Sequence, residues 1–314
     1  MLPGSETNVM TLATSPRAAV RIVVRAGGSL AALLAVGALV LAAVALAPAA
    51  AQQPARSAAP ATPAPGGSAP APAEVSRRPA LGGYLGSQRL PDHALFLPPP
   101  PASGSPLAAA DVAVFEATRK LENGPRWQLA ANDDQINHKA MLADFGCAVG
   151  LDLSAVDAPA LSRVLIRSTA DLLPLVNAAK DAYRRPRPYV EHEGPTCVVP
   201  TEELTASGSY PSGHAAAGWL YALLLVEIDP EHADAIVRRG RAFGESRVVC
   251  GVHYVSDIEG GRLTASALVA ALHGAPQFET DVASARAELF SLRGRAQPAA
   301  AECERENGNL ATPW

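Results

Sequence analysis

The sequence predicts an all-α fold, a single helical-bundle domain, on three observations. From Gly104 onward apolar residues recur at roughly helical spacing. Alternating strand-like runs joined by hairpin turns are scarce. The chain, 314 residues and 48% hydrophobic, can bury a substantial core, yet its folded part contains no long uninterrupted apolar span.

Leu107, Val112, Phe115 and Leu121 mark the first helix. A second is expected from Asn132 to about Val149, with Ile136, Ala140 and Phe145 facing inward. The third runs from about Ala158 to Tyr183 on a stripe of Leu161, Leu165, Leu172, Leu173 and Val176, with a kink expected at Pro174. Residues 184–188 end it, because a residue before proline is pushed from helical toward extended backbone. Gly208 to Gly213 form a turn cluster ahead of the apolar stretch Ala215 to Val226, with Ser212 placed as N-cap. Another helix is expected from Glu231 to about Glu245. A further one begins near His253 and carries Asp257, Leu263, Ala267 and Leu268.

Ahead of the folded part, Arg17, Arg21 and Arg25 precede an apolar run from Leu30 to Leu46, followed by Ala49, Ala50 and Ala51. That order is the order of a secretory signal peptide. A membrane anchor is the competing reading, since Gly27 to Ala51 is long enough to span a bilayer. Gln52 to Ala80 is dominated by Ala, Pro, Ser and Gly, which cannot bury enough apolar surface to offset chain entropy. The expected organisation is a signal peptide over 1–51, a disordered Ala/Pro-rich spacer over 52–80, a helical domain over 81–300 and a C-terminal tail over 301–314. The mature protein is then periplasmic or secreted, with no stable membrane anchor after processing. Cys147, Cys197, Cys250 and Cys303 would meet an oxidising compartment there, and four cysteines allow three pairings among which spacing does not choose.

A net charge of -4 and a pI near 6.0 argue against a nucleic-acid surface, which needs a basic stripe. The informative polar residues fall instead into three clusters. Lys180 stands on the last turn of the third helix and Arg187 on the extended segment beyond, so both can converge on one point. Alone, they would read as a solvated basic helix end. Ser212 and Gly213 open a helix whose free N–H groups suit an anion, with His214 in its first turn. Alone, these are an ordinary cap and a surface histidine. Ser246 and Arg247 precede His253 and Asp257, whose four-residue spacing on one helix face lets the carboxylate hold one ring nitrogen and leave the other free. A structural His–Asp pair has the same spacing. Together the clusters supply cations, backbone donors, two histidines and a carboxylate, a set suited to an anionic tetrahedral ligand.

Lys180-x6-Arg187-Pro188, Pro211-Ser212-Gly213-His214 and Ser246-Arg247-x5-His253-x3-Asp257 resemble the complete three-part signature of the phosphatidic acid phosphatase type 2 superfamily. Gly208 to His214 is similar to the fuller motif of the bacterial class A non-specific acid phosphatases. Leu97, the prolines 98–101, Arg126, Ala130, Asp133, Gly244, Glu245, Cys250, Gly251 and Ser256 also fit, so the likeness runs from about Gly83 to Arg295. It implies a fold of the acid phosphatase/vanadium-dependent haloperoxidase type and hydrolysis of a broad range of small phosphate monoesters through a phosphohistidine, with no metal and no cofactor. His253 would be the nucleophile, Asp257 its support, and His214 the general acid and base. Lys180, Arg187, Ser212, Gly213 and Arg247 would hold the phosphate oxygens. The opposing demands on two histidines point to a pH optimum below neutral. A vanadium-dependent haloperoxidase, an integral lipid phosphatase and a non-catalytic secreted phosphate-binding protein are the rival readings. The physiological substrate, phosphotransferase activity and a homo-oligomer stay open.

Overall fold

A computed structural model of the chain describes residues 81–86 and 90–311. The expected signal peptide and spacer lie outside the described residues. Among the described residues every regular element is helical: α1 (His93–Phe96), α2 (Pro106–Thr118), α3 (Pro125–Asn132), α4 (His138–Val149), α5 (Pro159–Tyr183), α6 (Pro188–Glu191), α7 (Glu202–Ala206), α8 (Gly213–Ile228), α9 (Ala233–Val249), α10 (Val255–Leu272), α11 (Pro276–Leu292) and α12 (Ala300–Leu310). The fold is all-α. No helix among the described residues is long and apolar enough to cross a membrane.

Helix α8 is central because it has no polar face. Ala215, Ala216, Ala217, Leu220, Leu224 and Leu225 are all buried, and α8 packs against α5, α9, α10 and α11. A helix apolar all round stabilises itself only by being covered on all sides. Glycines set how closely the neighbours approach. A Cβ at Gly240 of α9 would overlap Ala222 of α8, and one at Gly261 of α10 would stand 2.6 Å from the Ser212 carbonyl oxygen. Alanine at either position would force the helices apart, a cost typical of overpacking. The close approach is what brings the ends of α8, α9 and α10 to one place.

Helix α5 buries Leu161, Leu165, Leu172, Leu175 and Val176 in the central core and continues through Pro174. It ends at Arg184, which takes the left-handed conformation at φ 45°. Leu173, expected in the inward stripe, is 53% exposed. The helix expected from Asn132 to Val149 is in fact two. Helix α3 stops at Asn132, and Asn137 caps α4 by accepting from the Ala140 N–H at 3.0 Å. Residues 133–137 form the break, which leaves Ile136 44% exposed instead of inward. The reason is the stronger local signal: an asparagine cap, with Asp133 drawn away into an ion pair.

Helix α9 starts at Ala233, after a 3-10 turn at Pro230–His232, and runs one turn past its expected end, so Ser246 and Arg247 sit in its last turn. His253 stands ahead of α10 and not on it. Tyr254 is the N-cap, and the Asp257 side chain accepts from the Tyr254 N–H at 2.8 Å. The His253–Asp257 pair therefore spans a helix cap instead of a helix face.

Two disulfides join distant segments. Cys147–Cys303 ties α12 to α4, where Glu306 also pairs with Arg239 at 2.6 Å. Cys197–Cys250 fastens the segment before α7 to the end of α9, three residues ahead of His253.

Candidate active site

Lys180, Arg187, Gly213, His214, Arg247 and His253 line one cavity of about 360 Å³. Five segments deliver them: the last turn of α5, the extended lead-in to α6, the first turn of α8, the last turn of α9 and the approach to α10. Ser212 and Asp257 lie just behind this lining. Ser212 Oγ accepts from the Ala215 N–H at 3.3 Å as an N-cap, and its own N–H donates to the Asp257 carbonyl at 2.9 Å. The cap thus ties the start of α8 to the start of α10. At Gly213 an added Cβ would meet only Val176 Cγ1, at 3.6 Å, so the protein's own packing does not demand the glycine.

His253 is held from both ring nitrogens. Its Nδ1 lies 3.3 Å from Asp257 Oδ2, and its Nε2 lies 3.0 Å from Arg187 Nη1. Arginine can only donate, so Nε2 carries the lone pair and the ring proton resides on Nδ1, facing the carboxylate. Burial, then Arg187, Lys180 and Arg247, holds the His253 pKa well below the ordinary imidazole range. Burial pushes Asp257 upward, while Arg185 and the Tyr254 N–H pull it back.

Arg185 has no signature in the sequence apart from its place in a helix-ending run, yet it is a hub. Its Nη1 donates to Asp257 Oδ1 and Ser256 Oγ, both at 2.7 Å, and its Nη2 donates to Asp111 Oδ2 at 2.9 Å. The guanidinium lies 4.2 Å from the centre of the Tyr254 ring. Asp111 stands 74 residues upstream, so no local spacing could reveal the pairing.

His214 donates from Nε2 to the Asp134 carbonyl oxygen at 3.0 Å, and burial followed by Arg247 keeps its pKa well below the ordinary value. The Asp134 carboxylate meets Arg247 Nη2 at 2.7 Å. Asp134, in the break between α3 and α4, therefore touches two site residues and was not legible from any motif.

The cations are mostly satisfied by carbonyls. Lys180 Nζ donates to Gly208 O, and burial and then Arg187 press its pKa down to about 7. Arg187 donates to the carbonyls of Leu204, Ser207 and Val252 at 2.7 to 3.1 Å, with burial lowering its pKa to about 10. Arg247 is 1% exposed, and its Nε and Nη1 have no hydrogen-bond partner among the described residues. Buried orphan donors on a cavity lined with cations suit a polyvalent oxyanion. Ser246 serves elsewhere. Its hydroxyl donates to Asp133 Oδ2 at 2.6 Å and accepts from Arg126, and Arg239 grips the same Asp133 with both terminal nitrogens. That buried network braces α9 against α3 behind the cavity.

The sequence model of the PAP2 superfamily matches residues 162–281, which contain all three clusters. An acid phosphatase of Zymomonas mobilis is 42% identical over 203 residues, 64% of this chain and 77% of that protein. A non-specific acid phosphatase of Providencia stuartii is 38% identical over 222 residues, 70% of this chain and 89% of that one. One from Salmonella typhimurium is 36% identical over 200 residues, 62% and 78% of the two chains. The chain belongs to the non-specific acid phosphatases of the PAP2 superfamily, a family of phosphoric monoester hydrolases.

Proposed function

We propose that this phosphatase hydrolyses a broad range of phosphate monoesters through a phosphohistidine on Nε2 of His253. The observation that carries the reading is the pinning of Nδ1–H on Asp257, which leaves the Nε2 lone pair on a cavity lined by Lys180, Arg187 and Arg247. Phosphate entry draws Arg187 Nη1 from Nε2 to an equatorial oxygen and frees the lone pair. The bound dianion also favours protonation of His214 at Nδ1; Nε2 of His253 then attacks phosphorus, the P–O ester bond breaks, and the alkoxide takes that Nδ1 proton, leaving His214 neutral. In the second half His214 accepts a proton from water, the water oxygen attacks phosphorus, and the N–P bond breaks to release inorganic phosphate.

Lys180, Arg187, the donors of Arg247 and the Gly213 N–H hold the equatorial oxygens, with Ser212 setting the helix start that aims that N–H. Phosphoryl transfer rests mainly on positioning and charge stabilisation, so this cradle supplies much of the rate. The Asp134 carbonyl keeps the Nε2 proton of His214 in place, which assigns proton exchange to Nδ1. Action outside the cytoplasm is supported by the leader-like order of residues 1–51 and by two disulfides, which persist in oxidising compartments.

The test is a chromogenic phosphate monoester assayed in chelator with purified mature protein and His253→Ala, combined with acid-labile phosphoprotein trapping. The wild type should turn over and trap label, and the variant should do neither. Wild-type turnover by His253→Ala overturns the nucleophile assignment, and bromide oxidation with vanadate and peroxide would favour the haloperoxidase reading.

A further inference from the structure

The cavity does not end at the phosphate cradle. It continues onto a wall of Ile136, Met141, Leu172, Leu173 and Val176. Ile136 and Leu173 are 44% and 53% exposed, large apolar side chains left open at the mouth of a charged site. Their exposure costs hydrophobic free energy that a bound apolar group would recover.

Two polar side chains on this wall are committed, while Asn177 and Ser207 stand where the cavity meets the neighbouring groove at Lys180. Thr169 Oγ1 donates to the Leu165 carbonyl at 2.8 Å, and the Tyr221 hydroxyl is paired with His138 Nδ1 at 2.9 Å. Sugar hydroxyls placed here would lose water and regain few hydrogen bonds, whereas an apolar alcohol would shed ordered water at no such cost.

The position of the general acid decides which space receives the alcohol. A second, polar groove is lined by Asp181, Arg184 and Gly208 among others and shares Asn177, Lys180 and Ser207 with this cavity, but His214, His253 and Arg247 do not line it. An ester oxygen that takes its proton from His214 must depart beside His214, which lines the apolar-walled cavity.

We propose that Ile136, Met141, Leu173 and Val176 form the leaving-group subsite and make the enzyme selective for phosphate monoesters of apolar alcohols over those of polyols. The inference rests on the roles given above to His214 and His253. Benzyl phosphate and glycerol 3-phosphate test it, because both release a primary alkoxide and differ mainly in what the wall would contact. The expected wild-type preference in kcat/KM is about tenfold or more for benzyl phosphate, the scale on which apolar pockets discriminate. Leu173→Asn and Ile136→Asn, both at exposed positions, should each lower that preference severalfold while the inhibition constant of inorganic phosphate stays within about twofold, and Leu173→Met should retain the preference. A wild-type ratio near one, or a ratio unmoved by both asparagine variants, overturns the subsite. Loss of the catalytic reading is distinguished by His253→Ala, which would then turn over both esters with the benzyl preference intact.

Discussion

Replacing Lys180 by arginine should extend activity to higher pH. Lys180 is enclosed on the last turn of α5, where burial and the neighbouring Arg187 depress its pKa from 10.5 to about 7. At 1.36 kcal/mol per tenfold, that depression means the charged form has lost about 5 kcal/mol of stabilisation relative to water. A phosphate dianion about 4 Å away would return ~4 kcal/mol per charge at an effective dielectric of 20. Bound substrate therefore restores the ammonium, while the free enzyme loses it as pH rises through about 7. Since kcat/KM reports groups of the free enzyme, its alkaline limb should fall near pH 7 and that of kcat should lie higher. The acid side is protected differently: both site histidines are held below the ordinary imidazole range, so Nε2 of His253 keeps its lone pair where a solvated histidine would be protonated. Together these directions place the optimum below neutral.

Arginine at position 180 stays charged across this range. The assay is kcat/KM for one monoester from about pH 5 to 9 in both enzymes. Ionisation of the substrate, near pH ~6, is common to both and cancels in their ratio. The ratio of variant to wild type should be flat in acid and rise about tenfold per pH unit above the Lys180 pKa. Arginine's different shape lowers the ratio at every pH without bending it. A ratio that stays flat to pH ~9 would refute the account of Lys180 as the alkaline-limb group.

Removing Arg185 takes away the main counter-charge of Asp257, so Arg185→Met should raise the Asp257 pKa, move the acid limb of the pH–rate profile upward and lower kcat by about 100-fold, an effect of the ~3 kcal/mol expected from breaking a buried pair; an unchanged profile would contradict the positioning role. His214 and His253 have folded pKa values below 6.5, so as pH falls through 6.5 the unfolded chain binds protons first and the phosphate-free enzyme loses stability, with no such contribution above that pH. Calorimetric Tm measured with and without inorganic phosphate checks this: phosphate should offset the loss, and a His214→Asn/His253→Asn double variant should weaken the acid dependence. The Cys197→Ser/Cys250→Ser variant should lose about 2–4 kcal/mol in urea unfolding, together with part of its kcat, because the bridge anchors the turn that presents His253.

What could be read from the chain follows how local each determinant is. Ser212 is recognisable as a cap because a serine before a long apolar run is a rule about adjacent residues, and it caps α8 as expected. The nearness of His253 and Asp257 survives the shift from helix face to helix cap, since four residues of chain keep them close in both geometries. Ile136 and Leu173 mislead for a physical reason: apolarity says that a side chain gains by leaving water, not whether a core or a bound molecule will cover it. Arg185, Asp134 and Asp111 are silent in the sequence because their partners are assembled by tertiary packing. Asp133 and Arg239, 106 residues apart, are the same case, and so is the pairing of Cys147 with Cys303 across 156 residues.

The partners chosen for each buried arginine separate structure from chemistry. Arg239 is met by the carboxylates of Asp133, Asp144 and Glu306, and Arg185 by those of Asp257 and Asp111, so their charges are neutralised within the protein. Arg187 and Lys180 are given carbonyl oxygens instead. A carbonyl satisfies the donor but leaves the charge, whose field persists in a low-dielectric pocket. Arg247 stands between these cases, with one carboxylate, from Asp134, and two donors without a partner among the described residues. Three cations facing one cavity with, among the described residues, only that carboxylate in direct contact leave an excess of positive charge, which destabilises the phosphate-free fold and is relieved by an entering dianion. Burial first, and then the same excess, hold the pKa values of His253 and His214 low and bring Lys180 to the edge of deprotonation in the phosphate-free enzyme. Phosphate affinity, the unprotonated nucleophile and the acid optimum thus share a contribution from this excess, added to burial, and a carboxylate placed beside Arg187 would be expected to weaken all three together.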